Sequence, residues 1–361
     1  MTVLTLDAGG TNFVFSIIKN GKFHGEKIKV PSNGDNLQLC LESIVSGFKG
    51  LLNNTEGNAD AISFAFPGPA DFKNGIIGDL HNLTGFRGGI ALGPMLENIF
   101  NIPVFINNDG DLYAYGEALA GTLPRLNKEL EKSGSTKRYK NLVGMTIGTG
   151  FGAGLVHDSI LIKGDNICAG EIWTTSNRAN PDFNSEEGVS IRAVKYFYSE
   201  YANTDFKNSP EPKDIYEIAK GKSPGNKNAA ISAYKKLGQF IGDSIANMIT
   251  LFDGIVVIGG GVAGAKDLII PGIEFELSHS FKKLNGETNK RLTQKVFCLN
   301  KQEEKIKFMQ NFSKEIIIPG TSTKINYDDF PRNAYVFSEL NTSEMISLGA
   351  YYYAKQKISL V

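Results

Sequence analysis

The chain has 361 residues, enough for two domains with a large core, and its 38 basic and 38 acidic side chains leave no charged footprint for nucleic acid or a membrane surface. Cys40, Cys168 and Cys298 lie far apart with no CxxC pair, which argues for a reducing compartment without a disulfide framework. No apolar run reaches about 18 residues and the N-terminus lacks a basic stretch followed by an apolar one, so a soluble cytoplasmic protein is expected.

Val3 to Val30 reads as an opening β-meander. The apolar run Val3-Leu4-Thr5-Leu6 enters Asp7-Ala8-Gly9-Gly10-Thr11-Asn12, and a second strand follows from Phe13 to Ile18. Asn20-Gly21 is a strong hairpin signal, and a third strand runs from about Phe23 to Val30. Asp35 is placed to cap a helix through about Leu52. A buried strand, Ala61 to Phe66, stops at Pro67-Gly68-Pro69, because proline cannot continue a ladder. A polar loop, His81 to Phe86, precedes a helix over Ala91–Phe100 and a strand over Pro103–Asn107. Asn108-Asp109-Gly110 leads into a helix over Asp111–Leu119. The order βββαβαβα implies a layered α/β domain whose ligands sit at the carboxyl ends of its strands.

Residues 121–140 are polar and read as a loop or linker near the domain change. The opening theme then returns: Leu142 to Ile147, the turn Gly148-Thr149-Gly150-Phe151-Gly152, and Ala153 to Val156. Either the domain is duplicated, each half giving one glycine turn to a shared cleft, or two glycine-rich turns look alike by chance. Residues 174–187 read as irregular. Helices are expected near 189–200, 214–220 and 228–252, then a strand over Ile255–Ile258, the turn Gly259 to Gly264, and a helix from Lys266 to about Phe281. The stretch 283–345 yields one strand, Glu315–Ile318, and a last helix spans about Ser343–Gln356.

The glycine turns are either ordinary turns or places where backbone N–H groups approach an anion without an intervening Cβ. In the second reading Thr11 donates a hydroxyl to phosphate, and Asp7 holds Mg²⁺ or its waters, since a carboxylate repels phosphate directly. No Walker P-loop is present. Gly259-x-Gly261-x-x-Gly264 has dinucleotide spacing, but no acidic residue follows at the end of a next strand, and no NAD(P)H binding is expected. Asp109 at a strand end suits a general base that accepts a substrate hydroxyl's proton, while the competing reading makes it a helix N-cap.

Taken together the motifs resemble the ROK family of sugar kinases and repressors, within the actin, hexokinase and Hsp70 superfamily. The resemblance is carried by Leu6-Asp7-Ala8-Gly9-Gly10-Thr11-Asn12, Phe66-Pro67-Gly68-Pro69-Ala70-Asp71, His81 to Phe86, Asn107-Asn108-Asp109, Thr146 to Gly152, Ala169-Gly170-Glu171-Ile172 and Ile258 to Val262, in the family's order. It implies two actin-like, ribonuclease H-like α/β domains with mixed five-stranded sheets flanked by helices. One spans 1–120, with the C-terminal helix from about 345 packing back on it, and the other 121–344. It implies transfer of the γ-phosphate of ATP to a hexose hydroxyl, usually O6, with Asp109 as base. Asn82, Asn108, Glu171 and Gly68 would hold the sugar. Gly9, Gly10, Thr11, Asn12, Gly148, Thr149 and Gly150 would cradle phosphates, Gly260 and Gly261 the adenosine side, and Asp7 would orient Mg²⁺. A homodimer suits the family.

Two departures stand out. Family members often follow Gly-Glu-Ile with Gly-His and a cysteine-rich zinc loop. Here Trp173-Thr174 takes the Gly-His place, and residues 174–185 hold no Cys or His, so no zinc site is expected. Glu186-x-x-x-Ser190 fits either a sugar-contacting element or a helix start. The family's repressors carry a helix-turn-helix ahead of the first phosphate motif, for which six residues leave no room, and a sugar-binding protein without catalysis is the remaining alternative.

Overall fold

The structure, a computed structural model, describes residues 1–9, 11–55, 57–178 and 180–359. The chain opens with β1 (Thr2–Ala8), β2 (Asn12–Lys19) and β3 (Lys22–Pro31), then α1 (Leu37–Asn53), β4 (Ala61–Ala65), the short pair β5 (Ala70–Asp71) and β6 (Ile76–Ile77), α2 (Leu92–Phe100), β7 (Val104–Asn107) and α3 (Asp109–Leu119). Next come α4 (Thr122–Lys132), β8 (Asn141–Ile147), β9 (Phe151–His157), β10 (Ile160–Ile162), α5 (Ile191–Ala202), α6 (Pro212–Ala219), α7 (Lys227–Phe252) and β11 (Ile255–Gly259). The remainder is α8 (Lys266–Leu277), the hairpin β12 (Ser280–Lys282) and β13 (Thr288–Lys290), β14 (Lys295–Cys298), α9 (Gln302–Met309), the hairpin β15 (Lys314–Ile317) and β16 (Lys324–Tyr327), β17 (Arg332–Phe337) and α10 (Thr342–Ser359). Among the described residues no helix is long and apolar enough to cross a membrane.

Contacts divide the chain into two compact units. The first comprises Met1–Gly121, Gly154–Ala169 and Leu340–Val361, the second Thr122–Ala153 and Gly170–Glu339. The stretches 154–169 and 340–344, read from sequence as part of the second domain, therefore group with the first. One sheet has the order β3-β2-β1-β4-β7, the other β10-β9-β8-β11-β17-β14. Both are mixed: β1 pairs antiparallel with β2 and parallel with β4, and in the second sheet β10 pairs antiparallel with β9 while β11 is parallel to both β8 and β17. The second sheet has six strands rather than five, because β14 adds parallel to β17.

In the first unit the sheet packs on a run of phenylalanines. Phe15, Phe48 and Phe64 meet at ring separations of 5.0 and 5.6 Å, and Phe64, Phe66 and Phe86 continue at 6.0 and 5.3 Å. Edge-on and tilted rings of this kind add to area burial, and they tie the end of β4 to the 81–86 loop. The α1 cap is Asn36, not Asp35, with its side chain accepting the Leu39 N–H at 3.1 Å. Helices α3 and α10 touch backbone to backbone: a Cβ on Gly116 would lie 2.0 Å from the Met345 carbonyl oxygen, and one on Gly349 1.9 Å from that of Leu112.

The second unit repeats the device. A Cβ on Gly238 would lie 2.2 Å from Ile269 O, and one on Gly272 2.0 Å from Lys235 O, so α7 and α8 are in backbone contact. The span read as linker contains α4. Leu123, Leu126 and Leu130, at helical spacing, are its buried face, a period masked by the polar residues between them. Helix α8 stops at Leu277, short of Phe281, which lies in β12. The hard-to-read stretch before β17 is held by Arg332, whose guanidinium is buried, pairs with Asp328 at 2.9 Å, donates to Phe308 O at 3.2 Å and lies over the Phe312 ring at 4.8 Å. A buried charge is retained only when paired and hydrogen-bonded in this way.

Gly116→Ala tests the helix contact. A methyl placed against a carbonyl that cannot yield should cost about 3 kcal/mol, the upper end of overpacking, read as a lower denaturant midpoint. An unchanged midpoint would show that the two helices do not meet there.

Candidate active site

In the first unit the parallel strands β1, β4 and β7 end on one edge. That edge therefore carries Asp7 near the end of β1, Pro67-Gly68 after β4 and Asn108-Asp109 after β7. Asn108, not Asp109, is the N-cap of α3: its Oδ1 accepts the Gly110 N–H at 2.8 Å, and the helix begins at Asp109 rather than Asp111. The cap role is thus filled by the neighbour. Asp109 also accepts from Gly110 N–H through Oδ1, at 2.8 Å, and no other hydrogen bond engages its Oδ2 among the described residues.

Asp109 is solvent-accessible, yet loss of surrounding water raises its pKa above the ordinary carboxylate value, and the nearby charge of Asp7 acts in the same direction. The Gly110 N–H and its own backbone amide oppose the rise. Asp7 is half-buried and, among the described residues, carries no hydrogen bond or salt bridge. Two close carboxylates, one without a protein partner, are hard oxygen donors whose repulsion a divalent cation relieves, so the donor set fits Mg²⁺. Next to them Asn107 is buried, with Oδ1 on the Asn108 N–H at 3.1 Å and no acceptor for Nδ2 among the described residues.

At the first turn a Cβ on Gly9 would lie 2.8 Å from Asn12 O, so only glycine permits this bend. Thr11 is exposed, and Asn12 opens β2. Gly10 lies outside the described residues. Of the residues expected to hold sugar, Gly68 and Asn82 are exposed, while Leu83 and Phe86 anchor the Asn82 loop in the core.

The second unit brings the second and third turns together. β8 and β11 are parallel neighbours, with Thr146 opposite Gly259, so Gly148-Thr149-Gly150 and Gly260-Gly261 leave adjacent strand ends. Gly260 has φ +92°, and a Cβ there would lie 2.3 Å from Ile147 O. Gly148 N–H donates to Gly150 O at 3.0 Å, closing the turn, and Thr149 and Gly261 face solvent.

Hydrogen bonds link two short 3₁₀ turns, Ile172–Thr174 and Ser185–Glu187. Ser185 Oγ donates to Ile172 O at 2.7 Å, and Ser185 N–H to Thr175 O at 2.8 Å. Arg178 ties the loop to Glu276 of α8, whose carboxylate also pairs with Arg291, which in turn pairs with Asp243 of α7. Glu171 is exposed and accepts the Trp173 indole N–H. Glu186 faces the second glycine turn: its Oε2 accepts the Phe151 N–H at 3.0 Å and its Oε1 pairs with Arg192 at 3.2 Å.

The ROK family profile matches residues 3–297, well over half of the chain. The chain belongs to the ROK family. A glucokinase from Parabacteroides distasonis is 47% identical, with a TM-score of 0.88 over 98% of this chain and 97% of its own. An N-acetylmannosamine kinase from Haemophilus influenzae is 26% identical over 284 residues, 76% of this chain and 85% of its own. A ROK family glucokinase from Streptomyces griseus, crystallised with glucose and AMPPNP, shares the fold at 18% identity and a TM-score of 0.63, covering 99% of this chain and 100% of its own.

Within this ROK fold the sequence reading missed how Glu186 is used. A single-sequence pattern shows the Glu-x-x-x-Ser spacing but not that the carboxylate turns back to a backbone N–H 35 residues away. Glu186→Ala should therefore loosen the turn, and on the expectation that this turn cradles phosphate it should raise the KM for nucleotide by about tenfold, the loss expected for a hydrogen bond to a charged group. The KM for sugar should move less than about twofold by the same argument. The reverse pattern would return Glu186 to sugar contact.

Proposed function

We propose that this protein is an ATP- and Mg²⁺-dependent hexose kinase of the cytoplasm. It transfers the γ-phosphate of ATP to a hexose hydroxyl, O6 of glucose or of a related N-acetylhexosamine. The observation that carries the reading is Asp109: a carboxylate at the exit of β7, with one oxygen held by Gly110 and the other unengaged among the described residues, and with its pKa raised beside Asp7. The identity to a glucokinase over nearly the whole chain supports the substrate class.

In this mechanism the sugar hydroxyl lies against Asp109 Oδ2. As its oxygen attacks the γ-phosphorus, the bond to the β,γ-bridging oxygen breaks, ADP leaves, and the hydroxyl proton passes to Asp109. A base with a raised pKa holds that proton more strongly, which favours the transfer. Asn108 spends its Oδ1 on Gly110 N–H, so its Nδ2 is the atom offered to a neighbouring hydroxyl. Glu171 accepts from another hydroxyl, with Gly68 and Asn82 lining the sugar side. Asp7 would hold Mg²⁺ through its waters, and the cation would supply positive charge against the phosphate groups. The turns at Gly9–Asn12 and Gly148–Gly150 offer N–H groups to phosphate oxygens, and Gly260–Gly261 meets the adenosine.

The test is ADP release measured over glucose, mannose, fructose, N-acetylglucosamine and N-acetylmannosamine. At least one should be phosphorylated, and inertness toward all five with ATP and Mg²⁺ would sink the proposal.

Asp109→Asn should lower kcat by about 10²–10⁴-fold, the usual worth of a general base, with sugar binding retained by calorimetry. The folded pKa of Asp109 is raised, so ionising it opposes folding as pH climbs from the unfolded value to the folded one. The amide should therefore melt no lower than the native protein at neutral pH. In the native enzyme kcat/KM should rise with pH through a single ionisation above about 4, the ordinary carboxylate value, and the variant's profile should lack it.

A further inference from the structure

Trp173 is the protein's single tryptophan, and it is 40% exposed. It sits in a short 3₁₀ turn, Ile172–Thr174, beside Glu171. The turn itself is well held: Ile172 is buried, its carbonyl accepts from Ser185 Oγ at 2.7 Å and Thr175 Oγ1 at 2.7 Å, and Thr174 Oγ1 donates to Glu171 O at 2.8 Å. The indole is the part left outside. Its N–H is spent on Glu171 Oε2, and no other hydrogen bond reaches the Glu171 side chain among the described residues. Among the described residues no aromatic ring stacks on the indole and no cation lies over it.

We propose that Trp173 is a sugar-positioning residue that sets how a hexose meets Glu171. A pyranose has a C–H face and a rim of hydroxyls. An indole whose N–H is already satisfied offers a rigid apolar face to the first, at little entropic cost because only two torsions are frozen. The carboxylate beside it, fixed through Oε2, offers Oε1 to one rim hydroxyl. The ring therefore orients the sugar twice, by contact and by fixing the rotamer of its hydrogen-bond acceptor. A carboxylate–hydroxyl bond at a fixed rotamer then reports the position of a single hydroxyl, which is how a site selects among hexoses. This inference rests on the reading of Glu171 as a sugar ligand.

Because the tryptophan is unique, the native enzyme carries its own probe. Titration with a hexose that the ADP-release assay shows to be a substrate should change the indole emission, saturating at the sugar's own binding constant. Trp173→Ala should raise the sugar KM by about tenfold or more, with kcat and the KM for ATP moving much less, the pattern for lost uniform binding. Trp173→Phe keeps a ring but no N–H donor and should fall between, with the preference among glucose, mannose and N-acetylglucosamine altered. In a Glu171→Gln background the Trp173→Phe effect should shrink, since the bond it removes is already weakened. An emission unchanged at saturating substrate would overturn the proposal, as would a Trp173→Ala enzyme with an unchanged sugar KM. Failure of the kinase reading looks different: the native enzyme would phosphorylate no sugar at all.

Discussion

Parallel pairing is the constraint on which the rest depends. Hydrogen-bonded parallel strands exit a sheet on the same edge, so whatever follows β1, β4 and β7 is brought together however far apart it lies in sequence. Asp7 and Asp109 are a hundred residues apart, yet close enough that the charge of one raises the pKa of the other. The same rule seats the Gly148 turn next to the Gly260 turn after β8 and β11. In each unit, then, strand exits alone bring residues distant in sequence to one sheet edge.

Close approach of backbones is the second requirement. The bend at Gly9 and the left-handed Gly260 leave no room for a side chain, since Asn12 O and Ile147 O occupy the space a Cβ would need. Glycine serves the scaffold in a related way where α3 meets α10 and α7 meets α8. A helix pair in backbone contact has little freedom to slide, which holds the α3 N-terminus, and so Asp109, in a defined place relative to the sheet. The residues that resemble phosphate ligands and those that merely let helices touch obey the same steric rule.

The segment 171–188 shows how a polar loop acquires a shape. Among its described residues Ile172 is the one apolar side chain in the core, while Trp173 and Phe183 stay exposed, so charge and hydrogen bonds order most of it. Arg178 reaches Glu276, Arg291 shares that carboxylate and adds Asp243, and Ser185 closes the base of the loop. Paired charges in a half-buried network are costly to break one at a time, because the remaining partner is left desolvated. Glu171 and Trp173 at one end of the loop and Glu186 at the other are placed by these bonds.

The local alphabet of the sequence settled much of this protein. Apolar runs ending in glycine named the strands and the turns after them, Asn20-Gly21 named the first hairpin, and the ordered set of short motifs named the family, because backbone geometry at a turn is dictated by the residues in it. The α4 helix was equally present in Leu123, Leu126 and Leu130 but hidden under charged neighbours. Other decisions belonged to the tertiary structure alone. Asn108 rather than Asp109 caps α3, Glu186 turns to a backbone N–H instead of outward, Arg332 finds Asp328 and the Phe312 ring, and residues 154–169 group with the first unit. Each of these depends on which partner a long polar side chain or a strand meets in space. That is fixed by packing between segments far apart along the chain, and no window of neighbouring residues contains it.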